Sequence, residues 1–429
     1  MVGVRVVAVA VVGAFLAAGC GAGRTARPSP PAPERMTATL PAPAPGRTAS
    51  AGATPAENAR STGATGDAGA AGAAGDAGDA AVAPEWRAVP GAELEGAAAL
   101  VDVAVAGPRD VWAVGYQASA EDREGSPAVV RWDGDRWREV PLDGGHGLFH
   151  VEAVSAGGPD DVWIAGNGEG AVAGRWTGRA WSWERPFGVA QDYRLADVAV
   201  AGDRVWLAAN GPAGAVVVEW DGRGFRTAHR ADGTVRAITA RAGRVWAVGH
   251  DDGGPAAWLG SGEPAARVWE ETAMPAIPGG RLGRVWQVSP SEAWAVGEVA
   301  PGPVNVYGRR EGEPLVLRWD GSRWTRSPVP VARGALHGVT AFDGGDVWAS
   351  GTDAAHPGQA LLLRFDGTRW SAGYGPRLRA REQEPRYDVS ADVGRTGIAR
   401  VPGTGTLWAV GSVGWGDDED VFVLRRASR

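Results

Sequence analysis

The sequence predicts an all-β fold, a seven-bladed β-propeller of four-stranded antiparallel blades, and three observations predict it. An apolar stretch carrying a tryptophan and most often closed by a glycine, "VWAVG" at Val111–Gly115, returns in variants seven times. A second stretch, "VVRWDGDRWREVP" from Val129 to Pro141, follows it in related forms and sets two aromatic residues around an Asp-Gly turn. The last unit lacks a fourth strand, and a matching strand stands before the first unit.

The chain opens with "MVGVRVVAVAVVGAFLAAGC", one positive charge and then an apolar run too short for a typical spanning helix. Residues 1–20 are therefore expected to be an export signal. Leu16-Ala17-Ala18-Gly19-Cys20 resembles a bacterial lipobox, although Leu stands one place further from the cysteine than the family pattern prefers. That resemblance implies signal cleavage before Cys20 and its diacylation, and two acyl chains make membrane attachment stable. Cys20 is the single cysteine, so an intrachain disulfide is excluded.

Residues 21–83 contain no Phe, Trp or Tyr and are dominated by Ala, Pro, Gly, Ser and Thr. Such a segment cannot bury enough apolar surface to offset its ordering entropy. It is expected to be a tether reaching on the order of 50 Å as a coil.

Residues 84–429 hold the repeats. Their ruler is the second-strand tryptophan, at Trp112, Trp163, Trp206, Trp246, Trp294, Trp348 and Trp408, spaced 40 to 60 residues apart, against roughly 40–50 for four-stranded blades. In the first unit strand A is expected at Leu100–Ala106, strand B at Asp110–Gly115, strand C at Ala128–Trp132 and strand D at Arg136–Val140. The seventh unit ends after its strand C, "VFVLRR", and "PEWRAVP" from Pro84 to Pro90 offers the missing strand D, with Trp86 matching Trp137. Closure of this kind removes exposed sheet edges. Eighteen of the 21 tryptophans fall on strands B, C or D at repeating positions. They are accordingly assigned to wedge packing between blades rather than to a ligand. The Asp-Gly pair is hairpin chemistry.

With "VWAVG", a variable loop, "RWDG" and a following Trp, the units resemble kelch-type and galactose-oxidase-like propeller repeats across residues 84 to 429. They are also similar to the D-V-W-A-V-G repeats of exported actinobacterial proteins. They depart from kelch in having one glycine rather than two. The resemblance implies a propeller and no single activity. Galactose-oxidase chemistry is excluded, because its Tyr-Cys cofactor needs a cysteine within the domain.

Composition narrows the function. A net charge of −7 argues against a nucleic-acid partner. All 43 basic residues are arginine, which rules out lysine-based catalysis. No H-E-x-x-H or G-x-S-x-G motif occurs, no cofactor or metal is expected, and an enzyme is the less favoured class. The A–B and C–D turns are short and uniform, whereas the B–C and D–A loops are long and individual, so binding is expected on their shared face. Candidates after each "VWAVG" are Tyr116, Asn167, Asn210, His250 and Glu298, with Thr352 and Ser412 completing the set. A polar loop start explains them equally. Asp102, Glu152, Asp197, Arg236, Arg284 and His337, near the start of strand A, form a second ring, either for a zwitterionic ligand or for inter-blade pairing. Tyr116, Tyr307 and Trp415, expected in B–C loops, are candidate stacking residues. Asp417–Asp420 has no calcium-loop spacing. The expectation is an extracellular, monomeric binding scaffold for an envelope protein or glycan, touching the membrane only through its anchor. A carbohydrate-active hydrolase or lyase is the alternative.

Overall fold

The structure is a computed structural model describing residues 83, 85–119, 125–187, 192–263, 266–299, 312–379, 392–415 and 418–427. The expected export signal, Cys20 and nearly all of the tether lie outside the described residues, as does Tyr307. The repeats form a seven-bladed, all-β propeller. Six blades are four-stranded antiparallel sheets in the order A-B-C-D. In the first these are Ala97–Gly107, Asp110–Ser119, Ser126–Trp132 and Trp137–Glu139. Strands A and B run further than the repeat motif suggests, so Tyr116 lies within a strand and not in a loop.

In the seventh blade Leu407–Trp415 is strand B and Asp418–Arg426 is strand C. Strand A is split into Asp392–Val393 and Gly397–Arg400, both paired with strand B. Trp86–Val89 supplies strand D, antiparallel to strand C with Trp86 opposite Arg426. Asp418 to Asp420 therefore belong to a strand rather than a loop, and Trp415 is the last residue of its strand.

The tryptophans hold the blades together in one direction around the ring. Trp112 of the first blade meets Trp176 and Trp181 of the second, with ring centroids 5.6 and 6.0 Å apart. Trp163 likewise meets Trp220 and Phe225, Trp246 meets Trp319 and Trp324, and Trp294 meets Phe365 and Trp370. Trp348 packs against Trp86, and Trp408 closes the circle on Trp132 and Trp137. Six strand-B tryptophans are thus packed on aromatic rings of the following blade, in tilted and edge-on geometries that suit ring quadrupoles; among the described residues Trp206 has no such ring pair.

The motif's other residues serve the same ring. Asp110 and Trp112 lie two apart on one strand face, and Arg131 stands opposite Trp112 in the register. Arg131 therefore grips Asp110 with two bonds, at 2.7 and 2.8 Å, while its guanidinium covers the Trp112 ring at 4.9 Å. Arg175 with Asp161, Arg318 with Glu292 and Arg364 with Asp346 repeat the device. In the third blade the charges are exchanged, Arg204 on strand B pairing with Glu219 on strand C. Arg267 of the fourth blade then covers Trp206.

Because Trp86 is buried and its strand covers the edge of the last blade, a chain lacking residues 1–90 is expected to associate through that edge. A chain lacking residues 1–82 should stay monomeric. Size-exclusion chromatography with light scattering distinguishes them, and a monomeric, equally stable shorter chain would refute the closing role.

Candidate functional site

Strand A lines the channel in every blade, and its local shape fixes which side chains enter. In the first six blades its pairing with strand B skips one residue, the mark of a β-bulge. At the residue of strand B beside the bulge, four blades bring the strand A backbone too close for a side chain, whereas the third blade bulges with Ala209 in that place. A Cβ at Gly115, Gly249, Gly297 or Gly351 would collide with the carbonyl of Ala99, Thr234, Arg281 or Ala335, in each case two residues before the skipped one.

The bulge divides the second candidate ring into two levels. Glu152, Arg236 and His337, in the second, fourth and sixth blades, are the skipped residues. Asp102, Asp197 and Arg284, in the first, third and fifth, stand one place further along. The expectation of a single ring facing the channel mouth is corrected accordingly, since alternate blades feed alternate levels.

The deeper level is a buried clamp. Arg284 reaches across to Asp102 and Asp197, the Asp197 bond being 2.9 Å. Asp102 also accepts the backbone N–H of Val154 at 3.0 Å, and Asp197 accepts those of Val198 and Ile238. Burial alone would push the Arg284 guanidinium down, but the two carboxylates together push it up, so it stays charged. These three residues bind the ring to itself, leaving little for a ligand.

The upper level opens into a cavity of about 490 Å³. Residues 194–196, 281–283 and 335–337 line this cavity, while residues 197–200, 284–287 and 339 line a second one of about 290 Å³. The same strands pass from one to the other at the clamp, which is the floor of the first cavity. Glu152, Asn167, Asn210, Arg236, Glu298 and His337 converge there, six of the candidates. Arg194, Arg281, Arg395 and His150 join them and were missed in the sequence. Arg194 and Arg281 precede the apolar residue of strand A, a position that is polar in the second to fifth blades, as His150, Arg194, Thr234 and Arg281, and that the repeat motifs leave out. Arg395 falls in the break of the seventh strand A, where the motif is lost.

Other candidates hold structure. Asn167 exchanges two hydrogen bonds with the backbone of Leu195, both 2.9 Å, and Asn210 does the same with Val235 at 2.7 and 2.9 Å. Both staple strand A of the next blade. Tyr116 donates to Glu419 at 2.8 Å, joining the first blade to the seventh. Burial, with Glu419, pushes the Tyr116 phenol up, so it remains a donor. Ser412 is buried. The Trp415 side chain lies outside the described residues.

Electrostatics mark the fourth and fifth blades. Burial pushes the Glu298 carboxyl up, against the pull of Arg281 and Arg236. His250 is pushed down by burial and by the same two arginines.

No protein-family model matches this chain, and no curated protein matches it. Solved structures do. A structure of YCF48 bound to D1 peptide superposes with a TM-score of 0.52 at 15% identity, covering 82% of this chain and 98% of that one. An ulvan lyase of family PL25 bound to a GlcA–Rha3S glycan gives 0.50 at 10% identity, covering 80% and 96%. A GH74 xyloglucanase from Xanthomonas campestris gives 0.50 at 17%, covering 77% of this chain and 54% of that one. What these likenesses carry is the propeller fold.

His337 supplies a pH test. Its Nδ1 accepts the N–H of Thr396 at 3.3 Å, and burial, helped by Arg395, holds its pKa down to about 4 from 6.5. Between these values the unfolded chain binds more protons, so this contribution is fully present above pH 6.5 and is lost as pH falls towards 4. The single-group limit is about 3 kcal/mol. A His337→Gln variant should lose less thermal stability than the parent between pH 7 and pH 4, read by melting temperature. Equal acid losses would remove His337 from the account.

Proposed function

We propose that the chain is an exported, lipid-anchored propeller of kelch-like repeat type that binds a protein or glycan partner at its long-loop face without converting it. The cavity carries this reading. It lies at the ends of the B strands, on the side of the variable loops, and gathers polar groups from six blades in walls fixed by the tryptophan ring. The likeness in fold to YCF48 bound to a peptide supports this reading. Cys20 and the tether would display the domain outside the membrane.

Glu298 favours a second reading. A carboxyl pushed up by burial beside two arginines suits general acid chemistry on a glycan, and the ulvan lyase and the xyloglucanase use related scaffolds. The purified full chain, incubated with a polysaccharide panel that includes xyloglucan and ulvan, is expected to release no product over many hours. Sustained release that disappears in Glu298→Gln would transfer the protein to this class. Affinity capture from detergent-solubilised envelopes should recover a partner with the parent chain and lose it with Glu298→Ala combined with Arg281→Ala.

The anchor is tested separately. Mass spectrometry of the mature N-terminal peptide is expected to show diacylglycerol on Cys20, and Cys20→Ser should shift the protein from the membrane fraction to the medium. An unmodified Cys20 in the mature chain would exclude lipidation.

A further inference from the structure

The second cavity, of about 290 Å³, lies below the clamp and opens on the opposite side, towards the short A–B turns where the inner strands end. Three of its lining residues depart from the repeat. Opposite the strand-B tryptophan, strand A carries Ala104, Ser155, Ala199, Thr239, Thr340 or Ala399, all small, but Trp286 in the fifth blade. One place further on stand Val105, Ala156, Val200, Ala240 and Ala341, but Gln287 in the fifth blade and Arg400 in the seventh. The joint of the fifth blade with the sixth is made by Trp294. Trp286 therefore adds a ring to the channel that no repeat position calls for.

Charge is unbalanced here. The two acids of the lining, Asp102 and Asp197, are held by Arg284 at the roof, with Arg395 acting on both from above. The remaining charges are Arg241 and Arg400. Among the described residues Arg400 has no hydrogen-bond or ion-pair partner, and its buried Nε is unpaired. Its guanidinium lies 5.8 Å from the rings of both Trp286 and Phe342, which hold it by cation–π attraction. Gln287 places Arg241, donating from its amide to the Arg241 carbonyl at 3.1 Å, while the Arg241 guanidinium donates to the Gln287 carbonyl at 3.5 Å. Burial and the charge of Arg241 push the Arg400 guanidinium down, an effect that an anion placed between them reverses. The wall beside them is apolar and open, since Val105, Ala156, Val200, Ala240 and Trp286 all keep part of their surface exposed. An inorganic anion alone would leave that wall uncovered.

We propose that this cavity binds a small organic anion, its carboxylate or sulfonate held between Arg241 and Arg400 and its apolar body against Trp286 and the valines of the channel wall. The clamp separates this site from the long-loop face, so it goes beyond the partner-binding reading and does not depend on it.

The test is calorimetric titration of the full chain, in non-ionic detergent, with naphthalene-1-sulfonate, benzoate, their neutral amides and inorganic sulfate. Both organic acids should bind saturably, and each amide should bind weaker by about tenfold or more. Arg241→Gln with Arg400→Gln should weaken both acids by about tenfold or more at unchanged melting temperature, and Arg400→Lys should retain part of the affinity. Trp286→Thr, which installs the residue of the sixth blade, should weaken naphthalene-1-sulfonate more than benzoate, because the larger ring covers more of the wall. Should a variant fail to fold, the comparison of each acid with its amide decides alone. Absence of saturable binding by either acid would overturn the proposal and leave Trp286 as a plug of the channel. Equal binding of acids and amides, unchanged affinity in the double arginine variant, or sulfate binding as tightly as the organic acids would each overturn it as well, the last in favour of a plain anion site.

Discussion

The ring depends on one repeated contact, the packing of a strand-B tryptophan on aromatic rings of the next blade, made by six of the seven, with Trp206 covered by Arg267 instead. Seven blades must turn through a full circle, and each wedge between them has to be filled by a side chain of fixed size. Trp112, Trp163, Trp246, Trp294 and Trp408 are among the most deeply buried side chains of the protein. Truncation of such a group to alanine typically costs about 3–5 kcal/mol. The arginine of "RW" covers the outer face of the ring and is itself held by the acid of "DVW", so two polar residues finish an apolar joint. An exchange of sign in the third blade, Arg204 with Glu219, shows that the pair is selected as a pair.

That joint lies towards the outside of each blade and leaves the inner strand free to vary. Strand A bulges against strand B in six blades, and the position relative to the bulge decides whether an inner side chain faces the upper cavity or the clamp. Burying Arg284 and two aspartates is costly, and losing one partner of such a group typically costs about 3–5 kcal/mol. The clamp is consequently a specific link across the channel, joining blades that share no edge. By closing the channel it also converts a tunnel into a blind site.

The fold was legible because every blade must meet the same two neighbours, so Trp, Gly and the Asp-Gly turn recur at nearly fixed intervals. The turn is explicit in the structure, where Asp133 accepts the N–H groups of Asp135 and Arg136 and its carboxyl is held down to about 2 by those bonds. The site was legible in part. Glu152, Arg236 and His337 stand out as polar residues in an apolar strand, but their level cannot be told from that of Asp102, Asp197 and Arg284, because a bulge shifts register without a residue of its own to announce it. Arg281 stands out less, since its place opposite Glu298 in the cavity wall emerges only once the strands are paired.

The asymmetry of the site follows from which blades spend their variable residues on assembly. One position, directly after the strand-B apolar run and its closing Gly or Ala, is a backbone staple as Asn167 and as Asn210 and a tether to the seventh blade as Tyr116. His250 and Glu298 occupy the same position in the fourth and fifth blades, and neither staples the strand that follows among the described residues. A fold whose geometry is nearly seven-fold thus directs its uncommitted charge to one arc. Arg236, Arg281, Glu298 and His250 lie along that arc, on blades that keep their strand-A bulges and strand-B glycines. Such an arc requires no departure from the repeat architecture. It requires only that two neighbouring blades leave unmade the bonds their counterparts make.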